Sequence, residues 1–188
     1  TTEPNTADNV IEKWCNNSDP AQCALLGAYY NWNEAMRGSE VAGARGICPV
    51  GWHIPTDGEF VTLEKTVVGV IASPNPQYVC DFSAVPNSYQ RCADSNGTDG
   101  GGVNGAGRSL RPVGIYSGND LVGFNATYSG DRTSSGANAF VGSGFTMWTS
   151  NPSGGSNAYF RFINGGYNTI RRLPYSRAYG FSVRCLKN

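Results

Sequence analysis

Histidine is nearly missing from this chain, and His53 is its single copy. No Cys-x-x-Cys pair occurs among the six cysteines. A zinc site, which needs four clustered Cys, His or acidic ligands, therefore has little to build on. No metal and no cofactor is expected. Long apolar runs are also lacking. Nothing approaches the roughly 20 residues of a transmembrane helix. The chain starts at Thr1 rather than Met and carries no signal peptide, so removal of a leader or anchor ahead of Thr1 stays open.

Acids are missing from the C-terminal third. Every Asp and Glu lies at or before Asp131, whereas Arg132, Arg161, Arg171, Arg172, Arg177, Arg184 and Lys187 all follow it. Calcium-dependent sugar binding through that third is disfavoured, because the ion needs converging carboxylate and amide oxygens. Glu3-Pro4-Asn5 spells a lectin-like tripeptide at the wrong end of the chain and is taken as chance. The one-signed third either presents a positive face or spreads its arginines over several faces. Net charge is zero and the isoelectric point is about 6.5. No nucleic-acid motif appears, so a nucleic-acid partner is not expected. Asp99-Gly100-Gly101-Gly102 is no phosphate loop, since no Gly-Lys-Ser/Thr follows it.

Glycine, with 25 copies, and aromatic residues, at 12%, are plentiful, which suits short strands and many turns. An even set of cysteines points to an oxidising compartment, a cell surface or the extracellular space, although free buried thiols remain an alternative. Six cysteines allow fifteen connectivities. Pairing near neighbours joins Cys15 to Cys23 and Cys80 to Cys92 and leaves Cys48 with Cys185. Asn16, Asn96 and Asn125 head Asn-x-Ser/Thr triplets, acceptors only in a suitable host.

Residues 1–23 read as an irregular leader with a helical turn near Val10–Trp14. Ala24–Tyr30 suits a strand. Asn31–Met36 begins a short helix, with Asn31 or Asn33 as cap. Thr56 and Glu59 form a capping box, and Phe60, Leu63, Val67 and Ile71 follow at helical spacing, which predicts a helix over about 57–68. Residues 73–107 form a loop insertion. Four strands are expected at Phe145–Thr149, Ala158–Phe162, Thr169–Leu173 and Phe181–Cys185, with a turn at Asn164-Gly165-Gly166. Alternation places Phe160, Phe162, Phe181 and Val183 inward. Tyr159 and Arg161 fall on the opposite, outward face by the same alternation, and Tyr167, Arg171, Arg172, Tyr175 and Tyr179 are taken as outward with them. Two helices followed by a twisted antiparallel sheet make an α+β class.

Three blocks carry a family resemblance. They are Leu26-Gly27-Ala28-Tyr29-Tyr30-Asn31-Trp32, Gly46-Ile47-Cys48-Pro49-Val50-Gly51-Trp52-His53-Ile54-Pro55-Thr56-Asp57 and Gly180-Phe181-Ser182-Val183-Arg184-Cys185. With Gly123-Phe124-Asn125-Ala126-Thr127-Tyr128 and Phe145-Thr146-Met147-Trp148-Thr149-Ser150 between them, they resemble the FISUMP-type major paralogous domain of prokaryotic surface proteins. The likeness covers most of 24–188 but not the leader or 73–107. It implies a single C-type-lectin-like domain, disulfide-stapled, whose two ends meet and bring Cys48 near Cys185.

Some C-type-lectin-like proteins are variable proteins of diversity-generating retroelements. Their randomised AAC codons yield Asn, Tyr, Ser, Arg, Gly and Thr but never Glu, Lys, Gln, Met or Trp. The segment 151–179 is similar to such a region and lacks those five residues. On that resemblance its ligand-binding residues are Asn151, Ser153, Ser156, Asn157, Tyr159, Arg161, Asn164, Tyr167, Asn168, Arg171, Arg172, Tyr175, Ser176, Arg177 and Tyr179. The partner is a protein or cell-surface ligand. An ordinary Gly-rich polar sheet surface, in an invariant adhesin or structural module of the same family, is the competing reading. An enzyme is not expected. The sulfatase-activating oxidase on this superfold works with a cysteine pair, and Cys185 in its Val-Arg-Cys block reads as half of a disulfide. His53 as a general base is outweighed by a structural histidine. Asp120 and Asp131 have no visible catalytic partner.

Overall fold

Asp19 precedes Pro20, and together they start the first helix, α1 (Pro20–Leu26). The Asp19 carboxylate accepts the Ala21 N–H at 2.9 Å, and Pro at the first helical position gives up no hydrogen bond. These features come from a computed structural model that describes residues 10–72, 78–79, 93–94, 106–168 and 170–188. The strand expected over Ala24–Tyr30 is thus helix at its start, through Leu26, where Gly27 at φ 86° ends it. Only Tyr29 and Tyr30 make bridges, to Trp14 and Phe181. The turn expected near Val10–Trp14 is replaced by a 3-10 turn at Asn16–Ser18. Asn31 caps α2 (Trp32–Met36), accepting the Glu34 N–H at 2.8 Å.

Strand β1 (Trp52–His53) leads into α3 (Asp57–Ala72), which runs longer than its spacing predicts. The capping box forms reciprocally. Glu59 Oε2 accepts the Thr56 N–H at 2.7 Å, and Thr56 Oγ1 accepts the Glu59 N–H at 3.2 Å. Within the expected insertion, β2 (Tyr78–Val79) pairs antiparallel with β3 (Ala93–Asp94). The pairing of Cys80 with Cys92 lies outside the described residues. Then follow α4 (Ala106–Leu110), β4 (Asp131–Arg132) and β5 (Asn138–Ala139). The main antiparallel sheet is β6 (Gly144–Pro152), β7 (Asn157–Asn164) and β8 (Ile170–Ser176), with β7 central. The fourth expected strand, 181–185, instead makes isolated bridges from Phe181 to Tyr30 and from Ser182 to Met147. Finally β9 (Leu186–Lys187) pairs with β1.

Both faces of the β6–β7–β8 sheet are covered. Trp148, Ala158, Phe160 and Phe162 meet Trp32, Ala35 and Met36 of α2, with Ile54, Cys48 and Phe181 in the same core. Phe145, Met147, Ile163 and Ile170 meet Phe60, Val67, Ala106 and Leu110 of α3 and α4 on the other side. The two buried indoles lock the first core. Trp32 Nε1–H donates to Thr149 O and Trp148 Nε1–H to Tyr30 O, each at 2.8 Å, so neither N–H is left dry and unpaired. Gly46 allows the loop after α2 to close. A Cβ there would sit 2.2 Å from Ala35 O, and its φ of 54° favours glycine. Among the described residues two disulfides are present, Cys15–Cys23 and Cys48–Cys185.

Candidate binding surface

The ladder of β7 with β8 fixes where the residues of 151–179 go. Tyr159 sits opposite Pro174, Arg161 opposite Arg172, and Asn157 opposite Ser176. Arg161 and Arg172 were expected to point outward, and neither does. Arg161 is fully buried. Its Nε–H donates to Glu64 Oε1 at 2.6 Å and its Nη1–H to Asp57 Oδ1 at 2.7 Å. Arg172 Nε–H donates to the same Asp57 Oδ1 at 2.6 Å, and its guanidinium lies 3.8 Å from the Tyr159 ring centre. Burial pushes the Asp57 carboxyl up, but the hydrogen bonds and charges of Arg172 and Arg161 outweigh it and hold the group below its ordinary range. The alternation along β7 is as expected. The error lies in taking the second face as solvent, when α3 lies across it.

Other candidates also serve the frame. Asn151 Oδ1 accepts the Asp57 N–H at 2.7 Å, satisfying a helix-start donor of α3. Arg177 forms a bidentate pair with Glu40, at 2.5 and 2.9 Å, and stacks 4.2 Å from the Trp32 ring centre. At the β7–β8 turn, Asn164 Oδ1 accepts the Gly166 N–H at 2.7 Å, and Arg171 lies 5.1 Å from the Tyr167 ring centre. Arg111 holds this turn, and nothing in its Leu-Arg-Pro context signals the role. It is buried, with Nη1–H on Gly165 O at 3.0 Å and Nη2–H on Asn168 Oδ1 at 2.6 Å and on Tyr167 O at 2.5 Å.

What remains accessible falls at two ends of the sheet. Ser156, Asn157, Tyr175, Ser176 and Tyr179 gather where β6 turns into β7 and β8 ends, beside Ser153, whose hydroxyl is buried. Asn164, Tyr167, Asn168 and Arg171 gather at the opposite end, roughly 23 Å away for seven residues of strand. The first group has a rigid aromatic floor. Tyr175 packs 5.3 Å from Phe160 and 5.8 Å from Phe181, and edge-on to Tyr179 at 4.6 Å between ring centres. Burial, and then the hydrogen bond with Tyr179, push the Tyr175 hydroxyl above its ordinary pKa. Tyr175 is still 38% exposed, so this floor reaches solvent.

The lone histidine is held on both ring nitrogens. Nδ1 faces Asn188 Oδ1 at 2.6 Å and Nε2 faces Glu59 Oε1 at 2.9 Å. The Asn188 contact raises its pKa, burial lowers it, and Glu59 raises it again, with a net rise. Asp120 Oδ1 accepts the Asn125 N–H at 2.7 Å. Asp131 is buried, and that burial pushes its carboxyl up to about 6. Among the described residues no three His, Cys, Asp or Glu side chains cluster as metal ligands. No described helix is long and apolar enough to cross a membrane.

Two covered sheet faces and the Cys48–Cys185 tie define a disulfide-stapled α+β module with short antiparallel sheets. The chain belongs to the Fibrobacter succinogenes major domain family, which matches residues 1–187. The resemblance in the sequence is borne out at that level, and the match also takes in the leader and the insertion. No curated protein and no solved structure matches the chain.

Proposed function

We propose that this chain is a non-catalytic, C-type-lectin-like binding module displayed outside the cell. Its recognition surface is the rim formed by Ser156, Asn157, Tyr175, Ser176 and Tyr179. The observation that carries this reading is the Tyr175–Tyr179 pair at 4.6 Å, seated on Phe160 and Phe181 yet open to solvent. Rigid tyrosines bring large contact area at small entropy cost, and Ser and Asn beside them supply adaptable hydrogen bonds. The meeting of β1 with β9 and the Cys48–Cys185 bond support the lectin-like reading, in which the two ends of a domain come together. The bonded state of Cys185 supports a non-catalytic role, since an oxidase of this superfold needs that thiol free. The two disulfides support an oxidising exterior.

The partner on this reading is a protein or cell-surface ligand. Displaying the chain beside Tyr175→Ala and Tyr179→Ala variants against candidate cell surfaces tests it. Losses of about 2 kcal/mol or more in binding are expected at central tyrosines, beyond the roughly 0.5–1.5 kcal/mol of fold stability that losing each ring contact costs, with melting followed in parallel. Binding that survives both substitutions removes the rim from the proposal. Retroelement diversification extends the same reading, and it predicts a reverse-transcriptase gene nearby with a near-repeat of the 151–179 codons differing only at adenines. A second reading, an invariant surface module, is favoured by the framework duties of Asn151, Arg161, Arg172 and Arg177. Randomising those four positions would strip α3 and α2 of their ties. Uniform sequence across 151–179 in related strains selects this second reading.

A further inference from the structure

Asp131 is 6% exposed, and among the described residues no hydrogen bond and no ion pair reaches its carboxylate. A buried charge without a partner is costly and rare, so it calls for a reason. Strand pairing shows which way the side chain points. Arg132 and Gly180 exchange both backbone hydrogen bonds, at 2.9 and 2.8 Å. A Cβ on Gly180 would lie 3.1 Å from Arg132 Cβ and 3.2 Å from Tyr29 Cβ, so Arg132 and Tyr29 occupy that face. The next pair, Asp131 and Phe181, shares the opposite face, with Cβ atoms about 5 Å apart. That face carries the aromatic floor of the rim, where Tyr175 and Tyr179 lie 5.8 and 6.0 Å from the Phe181 ring centre. The Asp131 charge is felt there, because it helps raise the Tyr175 hydroxyl, and it also reaches Tyr29. The neighbouring cations are committed elsewhere. Arg132 lies 4.5 Å from the Trp14 ring centre on the far face, and Arg177 is paired with Glu40.

We propose that the rim recognises a lysine side chain of a protein partner, whose ammonium enters beside the Tyr175–Tyr179 pair and takes Asp131 as its counter-ion. This names the chemistry of the partner and rests on the rim being the recognition surface. An ionised carboxylate offers acceptors only, so it selects a donor cation and repels anions. Asp131 already bears the cost of leaving water, and an arriving ammonium offsets that cost where the surroundings screen little. The tyrosine rings add cation–π attraction. Lysine suits the narrow access to Asp131 better than arginine does. Its ammonium is a compact point charge on a slender four-carbon stem, whereas a guanidinium is planar and wide.

The test titrates the whole chain at neutral pH with n-butylammonium, n-butylguanidinium and butanol in turn, following backbone amide shifts by NMR. The ammonium is expected to shift Asp131, Tyr175, Tyr179 and Phe181 saturably and to bind at least about tenfold more tightly than butanol. Asp131→Asn keeps the shape, discards the charge and should bring the two to equal affinity. Equal affinity on the unaltered chain overturns the proposal, as do shifts confined to other residues. So does an unchanged preference in Asp131→Asn. Tighter binding of the guanidinium than of the ammonium also overturns it, by putting arginine in place of lysine. If Asp131→Asn fails to fold, the three-probe comparison on the unaltered chain still decides. Failure of the rim itself reads differently, because partner binding then survives Tyr175→Ala and Tyr179→Ala whatever the probes do.

Discussion

Replacing Arg161 with methionine removes the cation at the centre of the α3–sheet contact. Arg161 is fully buried, and Glu64 beneath it is only 1% exposed. Met fills much of the volume but leaves Glu64 a buried charge without its arginine, while Asp57 keeps Arg172. Breaking one side of a buried ion pair costs about 3–5 kcal/mol, because the remaining charge stays desolvated. With a urea slope near 2.5 kcal/mol/M, that is a midpoint shift of roughly 1–2 M with little change in slope. The double variant Arg161→Met/Glu64→Leu removes both charges and should recover much of the loss, since well-packed apolar replacements of buried pairs are often neutral. Urea melts of the unaltered chain, both single variants and the double variant complete the cycle. An Arg161→Met cost below about 1 kcal/mol, or a double variant no more stable than that single one, would falsify the buried-network account and return Arg161 to the surface.

Three further outcomes are expected. Cys48→Ser/Cys185→Ser, opening a separation of 137 residues, should cost about 5 kcal/mol by chain entropy, against about 2.5 kcal/mol for Cys15→Ser/Cys23→Ser across 8, and thermal melts rank the two pairs. Asp131 titrates at about 6 when folded and near 3.8 when unfolded, so the folded state holds the extra proton between those values and loses stability as pH rises through them. Asp131→Asn should therefore gain up to about 3 kcal/mol on the parent above pH 6 and nothing below pH 4, and a melting series across pH that shows no such divergence removes the effect. Phe162→Ala should cost about 3–5 kcal/mol, because Phe162 is 7% exposed and stacks 5.2 Å from Phe140; calorimetry giving less than 1 kcal/mol would mean the site is already open.

The N-cap at Asn31 and the Thr56–Glu59 box were legible because capping acts within four residues and needs no distant partner. The β7 alternation was legible for the same reason, since a strand's period of two is local. Ala24–Tyr30 misled because apolar residues cannot declare helix or strand over so short a span. The Asp19-Pro20 start and the Gly27 stop decided it. Residues 181–185 look like a strand, yet Phe181 bridges Tyr30 and Ser182 bridges Met147, so the segment threads between neighbours instead of joining one ladder.

By itself, the amino-acid order determined the α+β class, the three strands of the main sheet and the charge split at Asp131, while the cysteine pairs Cys15–Cys23 and Cys48–Cys185 were one choice among fifteen until the fold selected them. Tertiary structure alone decided what that split means. Asp57, Glu64 and Glu40 from the acidic part meet Arg161, Arg172 and Arg177 from the basic third, so three of its arginines are spent within the molecule rather than displayed together. A strand's own sequence says which side chains share a face, but whether that face meets water depends on what a segment about a hundred residues away lays across it. Here α3 covers one face and α2 the other, which leaves the rim around Tyr175 as a part of the 151–179 segment that meets solvent.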